Sequence, residues 1–229
     1  MKFSIVIPVF NEKNYILEIL NKVNNQRKNF DLEIIVSDDG SSDGTKEILK
    51  KNSEMYDKLI DETVNGGKGV AVSKGIEKAE GDYILIQDAD LEYNPQDYSK
   101  LFTPALQCNA DVVYGSRFLG GDYVRLHFFW HFVANKLLTI LTNIITNLNM
   151  TDMESGYKLF KTQVIKDLVI NEKSFGLEPE ITIKLAKKKY VFYEVPISYE
   201  GRSYEQGKKI KLKDAFTAIY CIFRYGFFK

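Results

Sequence analysis

Gly81-Asp82-Tyr83-Ile84-Leu85-Ile86-Gln87-Asp88-Ala89-Asp90-Leu91-Glu92 is an apolar run that ends in acids. Tyr83 to Gln87 is nearly continuous in large apolar side chains, the pattern of a strand buried on both faces. Residues two apart in extended chain point the same way, so Asp88 and Asp90 can turn toward one hard divalent cation, and Glu92 continues that face. Mg²⁺ or Mn²⁺ takes oxygen ligands and is commonly shared between one or two carboxylates and the phosphates of a substrate, which suits a nucleoside diphosphate. A solvated acidic turn is the competing reading of so short a motif. The rest of the chain decides between them.

Working outward, two earlier runs have the same character, Phe3 to Val9 and Leu32 to Ser37. Between the three runs lie helical patterns: Tyr15, Ile16, Ile19, Leu20 and Val23; Ile48, Leu49 and Met55; Ala71, Val72 and Ile76. Strand alternating with helix predicts an α/β fold with a mostly parallel sheet and helices on both faces. In such a sheet ligands bind at the carboxyl ends of the strands, and the polar residues fall there. Asn11-Glu12 follows the first strand, Asp38-Asp39-Gly40-Ser41-Ser42-Asp43-Gly44-Thr45 the second, and Asp88-Ala89-Asp90 the third; Asp111-Val112-Val113-Tyr114 delivers Gly115-Ser116-Arg117 in the same manner. Singly, each has a local explanation as a helix cap or a turn. Together they describe one polar crevice.

The 229 residues suffice for one full core, and 45% hydrophobic with 13% aromatic content argues against disorder. Basic and acidic side chains are balanced at 31 each, but Lys184 to Lys229 carries 11 basic against 4 acidic. That excess suits phosphates or an anionic membrane surface, with solvated lysines as the alternative. No nucleic-acid partner is expected. Cys108 and Cys221 have no metal-type spacing and make no disulfide framework, which fits a reducing cytoplasm. The apolar N-terminal stretch is interrupted by Pro8 and reads as a first strand rather than a targeting segment.

Asn65-Gly66-Gly67-Lys68-Gly69 opens the helix that carries Ala71 and Ile76. Its glycines and Lys68 suit a phosphate, or simply a loop, since neither common phosphate-loop spacing is present. Between Leu126 and Asn149, His127, His131, Asn135, Lys136, Thr139, Thr142, Asn143, Thr146 and Asn147 recur at helical steps and form a polar stripe opposite a broad apolar face. Polar side chains recur too often for a spanning helix. The segment either lies in a membrane interface or packs on the domain, and Ala215 to Lys229 offers the same two readings.

The order and spacing of seven segments make a specific match over essentially the whole length: Ile7-Pro8-Val9-Phe10-Asn11-Glu12, Asp38 to Thr45, Gly67-Lys68-Gly69, Asp88-Ala89-Asp90-Leu91, Gly115-Ser116-Arg117-Phe118, Asp152-Met153-Glu154-Ser155-Gly156-Tyr157 and Gly201 to Ile210. The chain resembles family 2 glycosyltransferases of the GT-A (Rossmann-like) fold, and within them the dolichyl-phosphate mannose synthase-like enzymes that glycosylate polyprenyl phosphates. The resemblance implies a catalytic domain over 1–210, including an amphipathic acceptor-side segment near 125–149; the C-terminal amphipathic helix over 211–229 follows it, with aromatics beside Arg224 and Lys229 that suit a membrane anchor or a helix docked on the core. It implies that Pro8, Val9, Glu12, Asp39, Lys68 and Asp88 bind the nucleotide. Asp88, Asp90 and Glu92 would hold Mg²⁺ or Mn²⁺; Ser116, Arg117, Arg202, Lys208 and Lys209 would hold donor and acceptor phosphates. Asp152 would either deprotonate an acceptor or orient the cations around a phosphate, and 201–210 would act as a lid.

The implied activity is inverting, metal-dependent transfer of mannose or glucose from a GDP- or UDP-linked donor to a polyprenyl or dolichyl phosphate. The setting would be the cytoplasmic face of a membrane, held peripherally, with a homo-oligomer or a membrane-anchor partner as further possibilities. The alternatives are a family 2 enzyme acting on a glycan hydroxyl and a catalytically silent, membrane-associated nucleotide-binding module.

Overall fold

The structure, a computed structural model, describes residues 1–120, 125, 128–174, 176–202 and 212–228. In chain order it contains β1 (Lys2–Val9), α1 (Ile16–Asn25), β2 (Asp31–Asp38), α2 (Thr45–Lys51), β3 (Lys58–Asp61), α3 (Lys68–Lys78), β4 (Tyr83–Ile86), α4 (Tyr98–Cys108) and β5 (Val112–Ser116). These are followed by α5 (Phe129–Thr146), β6 (Lys158–Lys161), α6 (Thr162–Lys166), α7 (Leu177–Lys187), β7 (Phe192–Pro196) and α8 (Leu212–Phe223), which runs into a wide turn at Arg224–Phe228.

The seven strands form one sheet in the order β3-β2-β1-β4-β6-β5-β7. Pairing is parallel throughout except that β6 runs against β4 and β5. Strand order therefore departs in opposite directions from the β1/β4 junction. Such a switch point opens a crevice beyond the strand ends, because the connections leave on opposite sides.

Alternation along the strands feeds two cores. Phe3, Ile5, Ile7 and Val9 of β1 join Leu32, Ile34 and Val36 of β2 in the layer beneath α1 and α4, while Val6, Ile35, Ile84 and Ile86 belong to the layer packed with α3, α6 and α7. Both faces are apolar, which is why these strands were readable as continuous runs. β3, β6 and β7 carry no such run: Lys-Leu-Ile-Asp and Lys-Leu-Phe-Lys are too short and too polar to register.

The polar stripe of α5 faces inward. Thr142 and Thr139 are buried, Lys136 Nζ donates to the Thr151 carbonyl at 2.9 Å, and Asn143 Nδ2 donates to the Met150 carbonyl at 2.8 Å. These side chains secure the loop ahead of β6. Part of the apolar side, Leu138 with Leu141 and Ile145, packs into the second core, while Phe129, Trp130, Leu137, Ile140 and Ile144 remain exposed. Among the described residues, no helix is long and apolar enough to cross a membrane.

Candidate active site

The ends of β1 and β4 bring Glu12, Asp88 and Asp90 to the switch point. Gln87 fixes the exit of β4: its side-chain oxygen accepts from Tyr98 and Tyr157 hydroxyls at 2.9 and 2.6 Å, and its amide donates to the Asp88 carbonyl at 2.9 Å. Leu91 then adopts φ 63°, a left-handed conformation uncommon for a branched side chain. Strain of this kind persists where the surroundings enforce it, often at functional sites. The Glu92 amide donates to Asp90 Oδ1 at 3.2 Å.

Arg202 closes the crevice. Its guanidinium lies 3.2 Å from Glu12 Oε2 and 3.1 Å from Asp90 Oδ2, with Nε 3.8 Å from Glu92 Oε1. Glu92 also accepts from the Arg202 amide at 2.7 Å and from the Tyr199 hydroxyl at 2.8 Å. One cation thus spans acids delivered by β1 and β4. Burial, followed by the charges of Glu92 and Asp88, pushes the Asp90 carboxyl up to about 7 against the pull of Arg202. That concentration of negative charge is what a hard divalent cation neutralises, so Asp88 and Asp90 fit Mg²⁺ or Mn²⁺ shared with substrate phosphates. Glu92 is turned to Tyr199 and Arg202. Among the described residues, no group of three acid, histidine or cysteine side chains is drawn together as a complete metal cage.

Lys68, at the start of α3, reaches Asp88 Oδ1 at 2.9 Å and Glu178 Oε1 at 3.3 Å. Burial opposes its charge, but Asp88 and Glu178 hold it protonated, above the usual lysine range. The glycine loop before it is not an open phosphate cradle. The Gly66 and Gly67 amides donate to Asp39 at 2.8 and 2.7 Å, and the Gly69 amide donates to the Lys173 carbonyl at 2.9 Å. Asp39 therefore spends both carboxylate oxygens on the loop and acts here as its clamp.

The second half of the site is the Arg117–Asp152 pair. Arg117 Nε and Nη2 each lie 2.7 Å from an Asp152 oxygen, and the Arg117 amide donates to the same carboxylate at 3.0 Å. Asp152 is 0% exposed. Burial alone would raise its pKa, but Arg117, its hydrogen bonds and Lys158 hold it below the usual carboxylate range. With its amide oriented to suit both neighbours, Asn135 of α5 donates to Asp152 Oδ1 at 3.3 Å and accepts from Arg117 Nη2 at 2.7 Å. The Arg117 guanidinium centre lies 5.1 Å from the Tyr199 ring centroid. Tyr199 thereby touches both Arg117 and Glu92.

Other residues expected at the site are placed differently. Val9 is a core side chain whose carbonyl accepts from the Asp39 amide at 2.8 Å, and Pro8 is half-buried beside it. Ser116 is buried, with Oγ 2.5 Å from Thr151 Oγ1 and accepting from the Phe118 amide at 3.0 Å. Lys208 and Lys209, with most of the expected lid, lie outside the described residues. Sequence reasoning missed Glu178, Tyr93, Glu194 and Tyr199. Glu178 opens α7 and meets Lys68 from far along the chain, while Glu194 accepts the Thr151 and Asp152 amides at 3.0 Å. Only the Glu178-Pro179-Glu180 helix start carried a signal.

The profile of glycosyl transferase family 2 matches residues 4–169. A dolichol-phosphate mannosyltransferase of Pyrococcus furiosus is 30% identical over 98% of this chain, and the chain spans only 63% of that relative's length. An uncharacterized protein of Methanocaldococcus jannaschii is 31% identical, over 90% of this chain and 93% of its own. Among solved structures, glucosyl-3-phosphoglycerate synthase of Mycobacterium tuberculosis, in complex with Mn²⁺, UDP and phosphoglyceric acid, has a TM-score of 0.77 at 17% identity over 100% of this chain and 79% of that one. That likeness establishes a GT-A-like fold.

Proposed function

The chain belongs to glycosyl transferase family 2, and we propose that it transfers a hexose, mannose or glucose, from a GDP- or UDP-linked donor to a polyprenyl phosphate at a membrane surface. The observation that carries the acceptor assignment is the state of Asp152. A base for a hydroxyl acceptor needs an open, proton-accepting oxygen. Here both oxygens are committed to Arg117, which against the effect of burial holds the group below the usual carboxylate range. A phosphate monoester, with a second pKa of about 6, is already an anionic nucleophile at neutral pH. It needs an arginine to orient it, and the pairing with Asp152 fixes the plane of that guanidinium.

In the proposed reaction an acceptor phosphate oxygen attacks the anomeric carbon from the face opposite the nucleotide. The bond from that carbon to the diphosphate breaks, its electron pair leaves with the nucleoside diphosphate, and configuration inverts. Arg117 and Arg202 orient the phosphates, and Lys68 keeps positive charge beside Asp88. Asp88 and Asp90 would hold Mg²⁺ or Mn²⁺, which supplies neutralisation of the charge developing on the leaving diphosphate.

Exposed apolar side chains on α5 and α8 support a membrane setting. Trp130 and Ile144 are 75% and 74% exposed, and Phe129, Phe216 and Tyr220 are exposed as well. A patch of this kind suits the headgroup boundary of a bilayer, where the lipid acceptor resides. The test is a product assay with radiolabelled UDP-glucose or GDP-mannose, Mn²⁺ or Mg²⁺, and vesicles containing polyprenyl phosphate. Label extracted with the lipid is the expected result. Label that enters a water-soluble glycan, or never reaches the lipid fraction, refutes the acceptor.

A further inference from the structure

The segment Met153 to Gly156 links the two halves of the site, following Asp152 in the chain and meeting Asp88 at Gly156. On one side are Asp88, Lys68 and Glu178; on the other is the Arg117–Asp152 pair. We infer that Glu154 and Ser155 form the subsite that binds hydroxyl groups of the sugar being transferred. This rests on the transferase reading above, because a sugar passing from a leaving diphosphate to an attacking phosphate has to lie between the groups that anchor them.

Three observations carry the assignment. First, Ser155 is 0% exposed and its Oγ has no hydrogen-bond partner, and the adjacent Glu154 has a buried Oε1 without one. Buried polar atoms otherwise find partners almost universally, so two orphans on successive residues mark a place prepared for a polar ligand. Second, the segment is pressed against the donor anchor. A Cβ added at Gly156 would lie 2.3 Å from Asp88 Oδ2 and 3.0 Å from the Tyr93 ring, and the Gly156 amide donates to the Tyr93 hydroxyl at 2.8 Å. Third, the segment is held from behind. Lys158 Nζ donates to the carbonyls of Met153, at 2.9 Å, and Ser155. That fixes the backbone from which the two side chains project.

The chemistry selects a neutral polyol. Glu154 is raised above the usual carboxylate range by burial first and then by Glu178, with Lys158 and Arg117 pulling the other way, which places it in the field of both halves of the site. Sugar hydroxyls donate to Glu154 Oε1 and exchange hydrogen bonds with Ser155 Oγ without adding charge. A further anion there would meet Glu178, Asp88 and Asp152 together. A further cation is superfluous beside Lys68 and Lys158.

The test measures dissociation constants of the full chain by calorimetry, with Mn²⁺, for UDP, GDP, UDP-glucose and GDP-mannose. Glu154→Leu keeps the volume and removes the orphaned acceptor, so it is expected to weaken the preferred sugar nucleotide about 10-fold or more while diphosphate affinity stays within about 2-fold. Its melting temperature should hold or rise, since an unpaired buried polar atom is lost. A role confined to supporting Lys158 would instead lower the melting temperature and shift both ligand classes together. Ser155→Ala should act in the same direction by about 3-fold, and it carries the test if Glu154→Leu fails to fold. If sugar nucleotide and diphosphate affinities move together, or neither moves, the subsite is refuted while the transferase reading stands. If no diphosphate binds the unaltered chain, the transferase reading itself falls, and the subsite with it.

Discussion

Replacing Arg202 by Gln should make the protein less stable without metal and a better metal binder. The guanidinium sits 3.1 Å from Asp90 and 3.2 Å from Glu12. At an effective dielectric constant of about 20, each contact is worth about 5 kcal/mol of Coulomb attraction. Desolvation of the guanidinium, whose buried Nε lacks a hydrogen-bond partner, and repulsion among Glu12, Asp90 and Glu92 cancel most of it. A net loss of about 2 kcal/mol remains, or about 4–8 °C in melting temperature for a chain of this size. A divalent cation entering between Asp88 and Asp90 must displace Arg202 from Asp90 in the unaltered protein but not in the variant. Mn²⁺ affinity without nucleotide, measured by calorimetry or by the resonance of free Mn²⁺, should therefore rise about 10-fold, and saturating Mn²⁺ should restore most of the lost melting temperature. Transfer activity should still fall, because a phosphate-orienting cation is gone. Unchanged Mn²⁺ affinity, with or without a stability loss, would refute the competition between guanidinium and metal.

Three further outcomes follow from separate parts of the structure. Ser4, Lys58, the Glu80 amide and Lys2 outweigh burial and hold Glu33 at about 2 instead of its usual 4.5; the depressed folded value means its contribution is present above 4.5 and is lost as pH falls toward 2. That amounts to about 3 kcal/mol, so Glu33→Gln should be clearly less stable at pH 7 and converge on the unaltered protein near pH 2 in denaturant titrations; parallel curves would contradict it. Gly156→Ala forces a methyl group to within 2.3 Å of Asp88 Oδ2 and should reduce turnover about 10- to 100-fold through misplacement, which a steady-state assay and a melting curve distinguish from unfolding. Trp130→Ser with Ile144→Ser removes exposed side chains from α5 and should weaken vesicle co-flotation at least 10-fold with little change in melting temperature; undiminished flotation would place the membrane contact elsewhere.

The helix with the polar stripe shows why faces are harder to read than elements. Its periodicity is plain, but the fold turns Asn135, Lys136, Thr139 and Asn143 toward the Met150 to Met153 loop and Arg117, while Trp130 and Ile144 face outward. A hydrophobic pattern says that two faces differ; which one is covered depends on what lies opposite. The glycine loop makes a similar point. Its backbone amides suit an anion, and the anion that meets them is the Asp39 carboxylate.

By itself the sequence determined the parallel half of the sheet, because β1, β2 and β4 bury both faces and must read as unbroken apolar runs. It also determined which acids stand at their carboxyl ends and that Arg117 follows β5, since a strand end fixes the position of the residues that follow it. The tertiary structure alone decided how those residues are shared. Arg202 joins Glu12 to Asp90, Lys68 joins Asp88 to Glu178, Arg117 immobilises Asp152, and Glu154 and Ser155 are left with buried atoms unpaired. These pairings link residues far apart along the chain. Charge and hydrogen bonding act over a few ångströms of space, and only the folded chain sets those distances.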